Sequence, residues 1–289
     1  MTAGRIALAL ACSALGGCWV ALDLDDNVYT LGPGEGGGGS TTTTGDGPVM
    51  VLVSPPGHDA FLIDAMEVTV EAYDAWLKTS PSTASQDPRC EWNTSFVPGV
   101  CDPTGDCLCD AFGITLEAEL LVSPSLPVRC VDFCDAVAFC RDQGKHLCGG
   151  IDGVTLFGAP DVGNDPAQSE WFFACSNGGA QEFPYGSTFD AGRCVDATID
   201  SSRPRDVGKP ACQGGVAGVF DMSGNVEEWV DHCYQVDPPG TGLACFRAGG
   251  AYWSDTSAPD WLDCDIWWEQ STTMREQSPS TGFRCCDIP

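Results

Sequence analysis

Four polar side chains crowd one glycine in the stretch "GVFDMSGNVEEWV", Gly218 to Val230. Asp221, Asn225, Glu227 and Glu228 surround Gly224. The stretch is too polar for a core strand and too rich in glycine for a helix. Carboxylates folded about a glycine suit a turn, a loop for a hard cation, or the edge of an active site. Thiols are the second chemical resource. The chain holds 18 cysteines but only three histidines, His58, His146 and His232. Repeated Cys-x2-Cys pairs are missing, so zinc-finger chemistry is poorly supported. Disulfides formed in an oxidising compartment account for the set better. Nucleophilic catalysis lacks a G-x-S-x-G elbow, and the histidines form no H-x-x-x-H pair. His232 follows Asp231 but has no identifiable Ser or Cys partner, and reads as an ordinary core or surface histidine.

The net charge is −28 over 289 residues. A chain this acidic repels nucleic acid and anionic lipid surfaces, and hard cations such as calcium are its natural small partners. The same acids also keep a secreted protein soluble. The length allows a sizeable core in one large domain or two small ones.

The first residues bear on the compartment. "MTAGRIALALACSALGGC" carries one basic residue, Arg5, and then an apolar run from Ile6 to Leu15. The run fits a signal-peptide core and is too short for a mature membrane span. Its end, Leu15-Gly16-Gly17-Cys18, resembles the lipobox of bacterial lipoproteins. In that reading residues 1–17 are removed and Cys18 carries lipid; the alternative is an ordinary secretory signal cut nearby. Loss of Cys12 and modification of Cys18 leave sixteen of the 18 cysteines, an even number. Residues 18–48, with "LGPGEGGGGSTTTTGDGP", hold few large side chains to offset ordering entropy and read as a flexible tether. No Lys-Ser/Thr follows the glycines, so this is not a phosphate loop. The folded domain is expected over 49–289.

Within it, "AYDAWLKT" reads as a short helix with Tyr73, Trp76 and Leu77 on one face. "FCDAVAFCRDQ" reads as a second helix, opened near Asp132 and closed at Gly144. The remainder alternates short apolar runs with Gly/Pro/Asp clusters. Cys90 to Gly113 reads as a loop pinned by its own cysteines. Sequence proximity suggests Cys194–Cys212 and Cys233–Cys245. Asn93-Thr94-Ser95 matches a glycosylation sequon, which a bacterial lipobox discounts.

Four stretches in order resemble the formylglycine-generating enzyme, or sulfatase-modifying factor, family. They are "FLIDAMEVTVEAYDAWL"; "LPVRCVDFCDAVAFCRDQGKHL"; "SEWFFACSNGG" with "FPYG"; and "GVFDMSGNVEEW" through "FRAGGAYW" to "GFRC". The resemblance runs from about Val49 to Cys286. It implies an α+β, C-type-lectin-like fold with little regular secondary structure. It implies calcium held by the Asp221 and Glu228 side chains with the carbonyls of Gly224 and Val226. It also implies the disulfides Cys140–Cys285 and Cys175–Cys264, while Cys90, Cys101, Cys107, Cys109, Cys130, Cys134, Cys148 and Cys286 stay unassigned.

The departures concern catalysis. Oxidases of the family hold Cu(I) on two cysteines after "GGS". Those positions are Ser254 and Pro259 here, and the serine of "GGS" is Ala251. A hydroxyl is a poor Cu(I) ligand and proline has none, so no copper is expected. His146 and Cys148 stand where the family has Arg and Pro, and the insertion between Leu147 and Ser169 reads as a surface loop. Trp253, Trp261, Trp267 and Trp268 near the degenerate site offer a groove for a protein, peptide or glycan ligand, or else are core. Two functions remain open: a binding or structural domain on the bacterial cell envelope, and an enzyme of this family with non-standard active-site residues.

The lipobox reading predicts that Cys18→Ser moves the protein from the membrane to the soluble fraction. Unchanged fractionation of that variant refutes it.

Overall fold

The computed structural model describes residues 49–289 apart from 100–108, 110–111, 237–241, 256 and 258, together with three short strands further upstream. Two of these, Ala11–Cys12 and Cys18–Trp19, pair with each other. The acyl position expected on the Cys18 side chain lies outside the described residues, as do Cys101 and Cys107.

Two five-stranded sheets frame the domain. One has β1 (Ser40–Thr42), β2 (Met50–Val53), β3 (Phe61–Asp64), β10 (Cys285–Asp287) and β4 (His146–Leu147), all antiparallel and in that spatial order. β1 lies inside the stretch read as a tether, so its backbone extends the sheet edge. The other sheet is built on the long strand β6 (Glu227–Gln235), antiparallel to β7 (Leu243–Ala248), which pairs in turn with β8 (Ser271–Thr273). Two further strands join β6 in parallel, β5 (Leu156–Phe157) and β9 (Thr281–Phe283). Only Arg284 separates β9 from β10, so this residue sits at the joint between the sheets.

The helices start where the side chains can satisfy free backbone N–H groups. Thr69 caps α1 (Val70–Leu77) by accepting from the Ala72 amide at 3.2 Å. α2 is Leu116–Val122. Asp132 and Asp135 form a reciprocal capping box on α3 (Phe133–Asp142). After the one-turn α4 (Pro160–Gly163), Ser169 caps α5 (Glu170–Ser176). The helices expected at 72–79 and 133–143 thus form at 70–77 and 133–142.

Tyr73, Trp76 and Phe139 pack as an aromatic cluster, with Tyr73 stacked on Phe139 at 5.5 Å and Phe283 edge-on. Trp229 is core, its Nε1 donating to the Val131 carbonyl at 3.0 Å. His232 is also core, 4.5 Å from the Phe246 ring, and burial pushes its pKa down to about 4.

Two loop expectations need correction. The insertion after Leu147 is not merely surface: Leu156 is buried and pairs with His232, and Gly163 packs on the His232 ring. A buried leucine on a sheet edge gives the insertion its anchor. The cysteine-rich stretch is not pinned only to itself either, because Cys90 bonds Cys134 and Cys109 bonds Cys130. Both partners lie at or beside the start of α3, which fastens the loop to the core.

The other described bridges are Cys140–Cys285, Cys148–Cys286, Cys175–Cys264, Cys194–Cys212 and Cys233–Cys245. Together they place the domain in an oxidising, extracytoplasmic setting. No helix among the described residues is long and apolar enough to cross a membrane.

Loop-closure entropy predicts different weights for these bridges. Cys140–Cys285 spans 145 residues and Cys233–Cys245 only 12. Replacing the first pair by serine should cost roughly 5 kcal/mol and the second roughly 3. Urea unfolding of both double variants checks the order, and equal losses contradict it.

Candidate functional site

The Gly218–Val230 loop folds through three consecutive demands on the backbone. Asp221, Gly224 and Asn225 all have positive φ, at 58°, 75° and 60°. Aspartate and asparagine tolerate this region better than most side chains. Gly224 is required for a second reason: a Cβ there would lie 2.3 Å from the Val195 carbonyl oxygen. The close approach lets the Asn225 amide donate to that carbonyl at 2.7 Å.

Four ionisable groups meet beneath this loop: Glu67, Asp221, Glu228 and Arg284, all buried. Arg284 grips Glu228 with two hydrogen bonds, Nε to Oε2 at 2.7 Å and a terminal nitrogen to Oε1 at 2.6 Å. Trp171 Nε1 donates to the same Oε2 at 2.9 Å. Arg284 also donates to the carbonyls of Asp64 and Phe220. Asp221 accepts from the Gly208 and Lys209 amides through one oxygen only. Its other oxygen, Oδ1, is buried without a partner, as is Glu67 Oε2. Glu67 Oε1 accepts from Asn225, whose own oxygen takes the Arg205 amide.

The electrostatics follow from burial. Asp221 is pushed up to about 6 by desolvation, against the lowering pull of the two amides and Arg284. Glu67 is pushed well above its ordinary value, through desolvation and then the nearby Asp221 and Glu228 charges. Two orphaned oxygens in a site with excess negative charge call for a proton or a cation.

The calcium set implied by the resemblance fits this geometry only in part. Asp221 Oδ1 is a free, buried, hard acceptor suited to the ion. Glu228 is not free, because a guanidinium and an indole N–H already occupy both its oxygens. Glu67, which the resemblance did not name, supplies the second free oxygen. No spacing rule in the sequence marks Glu67 or Arg284, which lie 154 and 56 positions from Asp221 and Glu228.

The degenerate copper positions lie on the next loop. Ser254 is buried and its Oγ accepts from the Ala251 amide at 2.9 Å, closing a turn. Pro259 opens a single 3-10 turn, Pro259–Trp261. Cys264 is held by Cys175. Of the four tryptophans, Trp253 and Trp267 are 39% exposed and Trp268 is 50% exposed. Trp253 packs edge-on to Trp261 at 5.8 Å, and Trp268 edge-on to Tyr234 at 5.0 Å. Trp267 Nε1 donates to the Asp260 carbonyl and to Asp263 Oδ1. Asp263, unmarked in the sequence, is pushed up to about 8 by burial and by Asp265. A cleft of about 580 Å³ opens between Val122 and the Arg203–Pro210 segment, away from the four tryptophans.

Residues 38–287 match the family described as the sulfatase-modifying factor enzyme 1-like domain. The chain belongs to this family. It is 27% identical over 171 residues to the mouse (Mus musculus) protein named "Inactive C-alpha-formylglycine-generating enzyme 2", covering 55% of this chain and 48% of that protein. The match thus spans about half the length of this curated relative. A solved structure titled "Crystal Structure of CarF" aligns at TM-score 0.45 and 21% identity over 80% of this chain and 87% of its own.

Removing Glu228 and removing Asp221 should have different consequences. Glu228→Ala strands Arg284 as an unpaired buried charge and should cost about 3–5 kcal/mol with or without calcium. Asp221→Asn should leave the chelator-treated protein as stable as the wild type. Paired thermal melts in calcium and in chelator check this. Equal losses from both variants in chelator contradict the assignment.

Proposed function

We propose that this chain is a lipid-anchored, extracytoplasmic member of the sulfatase-modifying factor family that binds a ligand instead of oxidising cysteine. The observation that carries this is the state of the two copper positions. Ser254 offers a hydroxyl already engaged with the Ala251 amide, and Pro259 offers no ligand atom. The nearest thiol in sequence, Cys264, is consumed in a disulfide. Soft Cu(I) therefore finds no thiolate pair on this loop. The mouse relative whose name carries the word "inactive" accords with this reading.

The ligand face in this proposal is the tryptophan loop. Half-exposed indoles beside carboxylates stack sugars or peptide side chains. The membrane is reached through lipid on Cys18, and the charge of −28 disfavours nucleic acid as a partner. Calcium is proposed as a structural ion held through Asp221 Oδ1 and Glu67 Oε2, in place of the Asp221 and Glu228 pair. Because an ion that binds only the native state stabilises it by mass action, chelation should lower the wild-type Tm, and Asp221→Asn should abolish that response. An unshifted wild-type melt would assign the two free oxygens to a proton.

The chemistry is tested with a sulfatase-type cysteine peptide and supplied Cu(I). Mass spectrometry should find the cysteine unconverted after incubation with the wild-type domain. Ser254→Cys combined with Pro259→Cys should gain Cu(I) binding. A peptide shifted to the aldehyde mass by the wild type would overturn the proposal.

A further inference from the structure

His146 and Cys148 are the two residues at which the "GKHLC" segment departs from the family pattern, and Cys286 follows the cysteine that pairs with α3. The fold brings all three to one place. β4 and β10 are antiparallel, with His146 opposite Cys286 and Leu147 opposite Cys285. Alternation sends Cys285 to one face, where it bonds Cys140, and Cys286 to the other, where it bonds Cys148. The first residue of α5, Glu170, enters the second face from above. Its carboxylate lies with the sulfurs of Cys148 and Cys286 in a cluster whose ligand atoms are all within 4.8 Å of one another. His146 Nε2 stands 3.0 Å from both Glu170 oxygens. The Gly149 amide donates to Glu170 Oε2 at 2.9 Å and fixes the carboxylate.

We infer that the Cys148–Cys286 bridge is the oxidised state of a redox-gated metal site. Once reduced, Cys148, Cys286 and Glu170 hold one zinc-type divalent cation, and His146, which lies outside this three-residue cluster but against Glu170, turns in as the fourth ligand. Two thiolates, a carboxylate and an imidazole are the donor types that zinc takes in tetrahedral sites. Two ligands about 2.0 Å from a tetrahedral metal stand roughly 3.3 Å apart, close to the present imidazole–carboxylate separation. Breaking the S–S bond lets the sulfurs separate toward the roughly 3.7 Å of two zinc-bound thiolates. Gly149 N–H then serves as the outer hydrogen bond that orients a ligating carboxylate. His146 is the partly exposed member of the site, its side chain 24% exposed while Glu170 and both cysteines are buried.

The switch balances with a dithiol as reductant. The dithiol attacks the disulfide, passes two electrons to the Cys148 and Cys286 sulfurs, and leaves as a cyclic disulfide. The two protein thiols then lose two protons as the cation binds. Cys140–Cys285 still ties β10 to α3, so opening the second bridge leaves the strand in place.

The test treats the folded domain with limiting dithiothreitol, removes the reagent anaerobically and locates free thiols by alkylation and mass spectrometry. Cobalt(II) is then added as the probe. The reduced wild type should bind one equivalent, with thiolate-to-cobalt and tetrahedral d–d bands that zinc abolishes; the unreduced protein should show neither. Cys148→Ser with Cys286→Ser, reduced identically, should lack the bands. Glu170→Gln and His146→Gln, which keep the disulfide, should weaken binding at least tenfold; the partly exposed His146 position keeps the test valid if the Glu170 variant does not fold. Bands of equal strength in the double cysteine variant overturn the inference. So does silence from a sample whose alkylation map shows Cys148 and Cys286 free, or reduction of this pair only on global unfolding.

Discussion

The buried Arg284–Glu228 pair is the interaction on which the rest of the structure depends. Arg284 is the single residue between two strands that belong to different sheets. Its guanidinium reaches Glu228 on β6, the Asp64 carbonyl on β3 and the Phe220 carbonyl before the Asp221 loop. Trp171 on α5 completes the Glu228 shell. One charged side chain therefore links both sheets, a helix and the site loop. A desolvated guanidinium is tolerable only because each partner is fixed by other structure. That requirement gives the surrounding backbone little freedom, and the positive φ at Asp221, Gly224 and Asn225 is held within this frame.

The same pair governs what the site can bind. A cation loop needs free oxygen atoms, and Glu228 has none left. The negative charge that Arg284 does not cancel falls on Glu67 and Asp221; the Asp221 and Glu228 charges push Glu67 up beyond burial, while the Gly208 and Lys209 amides and Arg284 pull Asp221 back down. The unpartnered oxygens are a consequence of one arginine serving three buried carboxylates. Any cation here is drawn by that deficit more than by the overall charge of the chain, most of which sits in water and is screened.

The legible part of the sequence was local. Helices α1 and α3 were readable because a cap and an apolar face lie within a dozen residues of each other. Cys194–Cys212 and Cys233–Cys245 were readable because their loops are short. The family motif carried Asp221 and the position of the aromatic loop. Long-range chemistry was not readable. Glu67 sits in an unremarkable "DAMEVT" run, and nothing near it says that it meets Asp221. The family resemblance implies Glu228 as a metal ligand, and only the folded chain shows a guanidinium at its oxygens. The insertion after Leu147 reads as a surface loop because the family has only a few residues there. Its two-residue strand is too short to leave a periodic signal, although Leu156 is buried.

Cysteine density also sets what kind of evolution the fold can absorb. In a small irregular domain, disulfides supply constraints that longer strands and helices would otherwise provide. Cys175–Cys264 and the turn closed by Ser254 hold the aromatic loop through its own contacts. The Ser254 hydroxyl spends its acceptor on the Ala251 amide, a purely local bond. Of the half-exposed indoles, Trp268 packs on the buried Phe246 ring and Trp267 is tied to Asp260 and Asp263, whereas Trp253 meets the Trp261 ring. A ligand on this face, as proposed, would be uncoupled from the Arg284 joint, since the two share no hydrogen bond in the described structure.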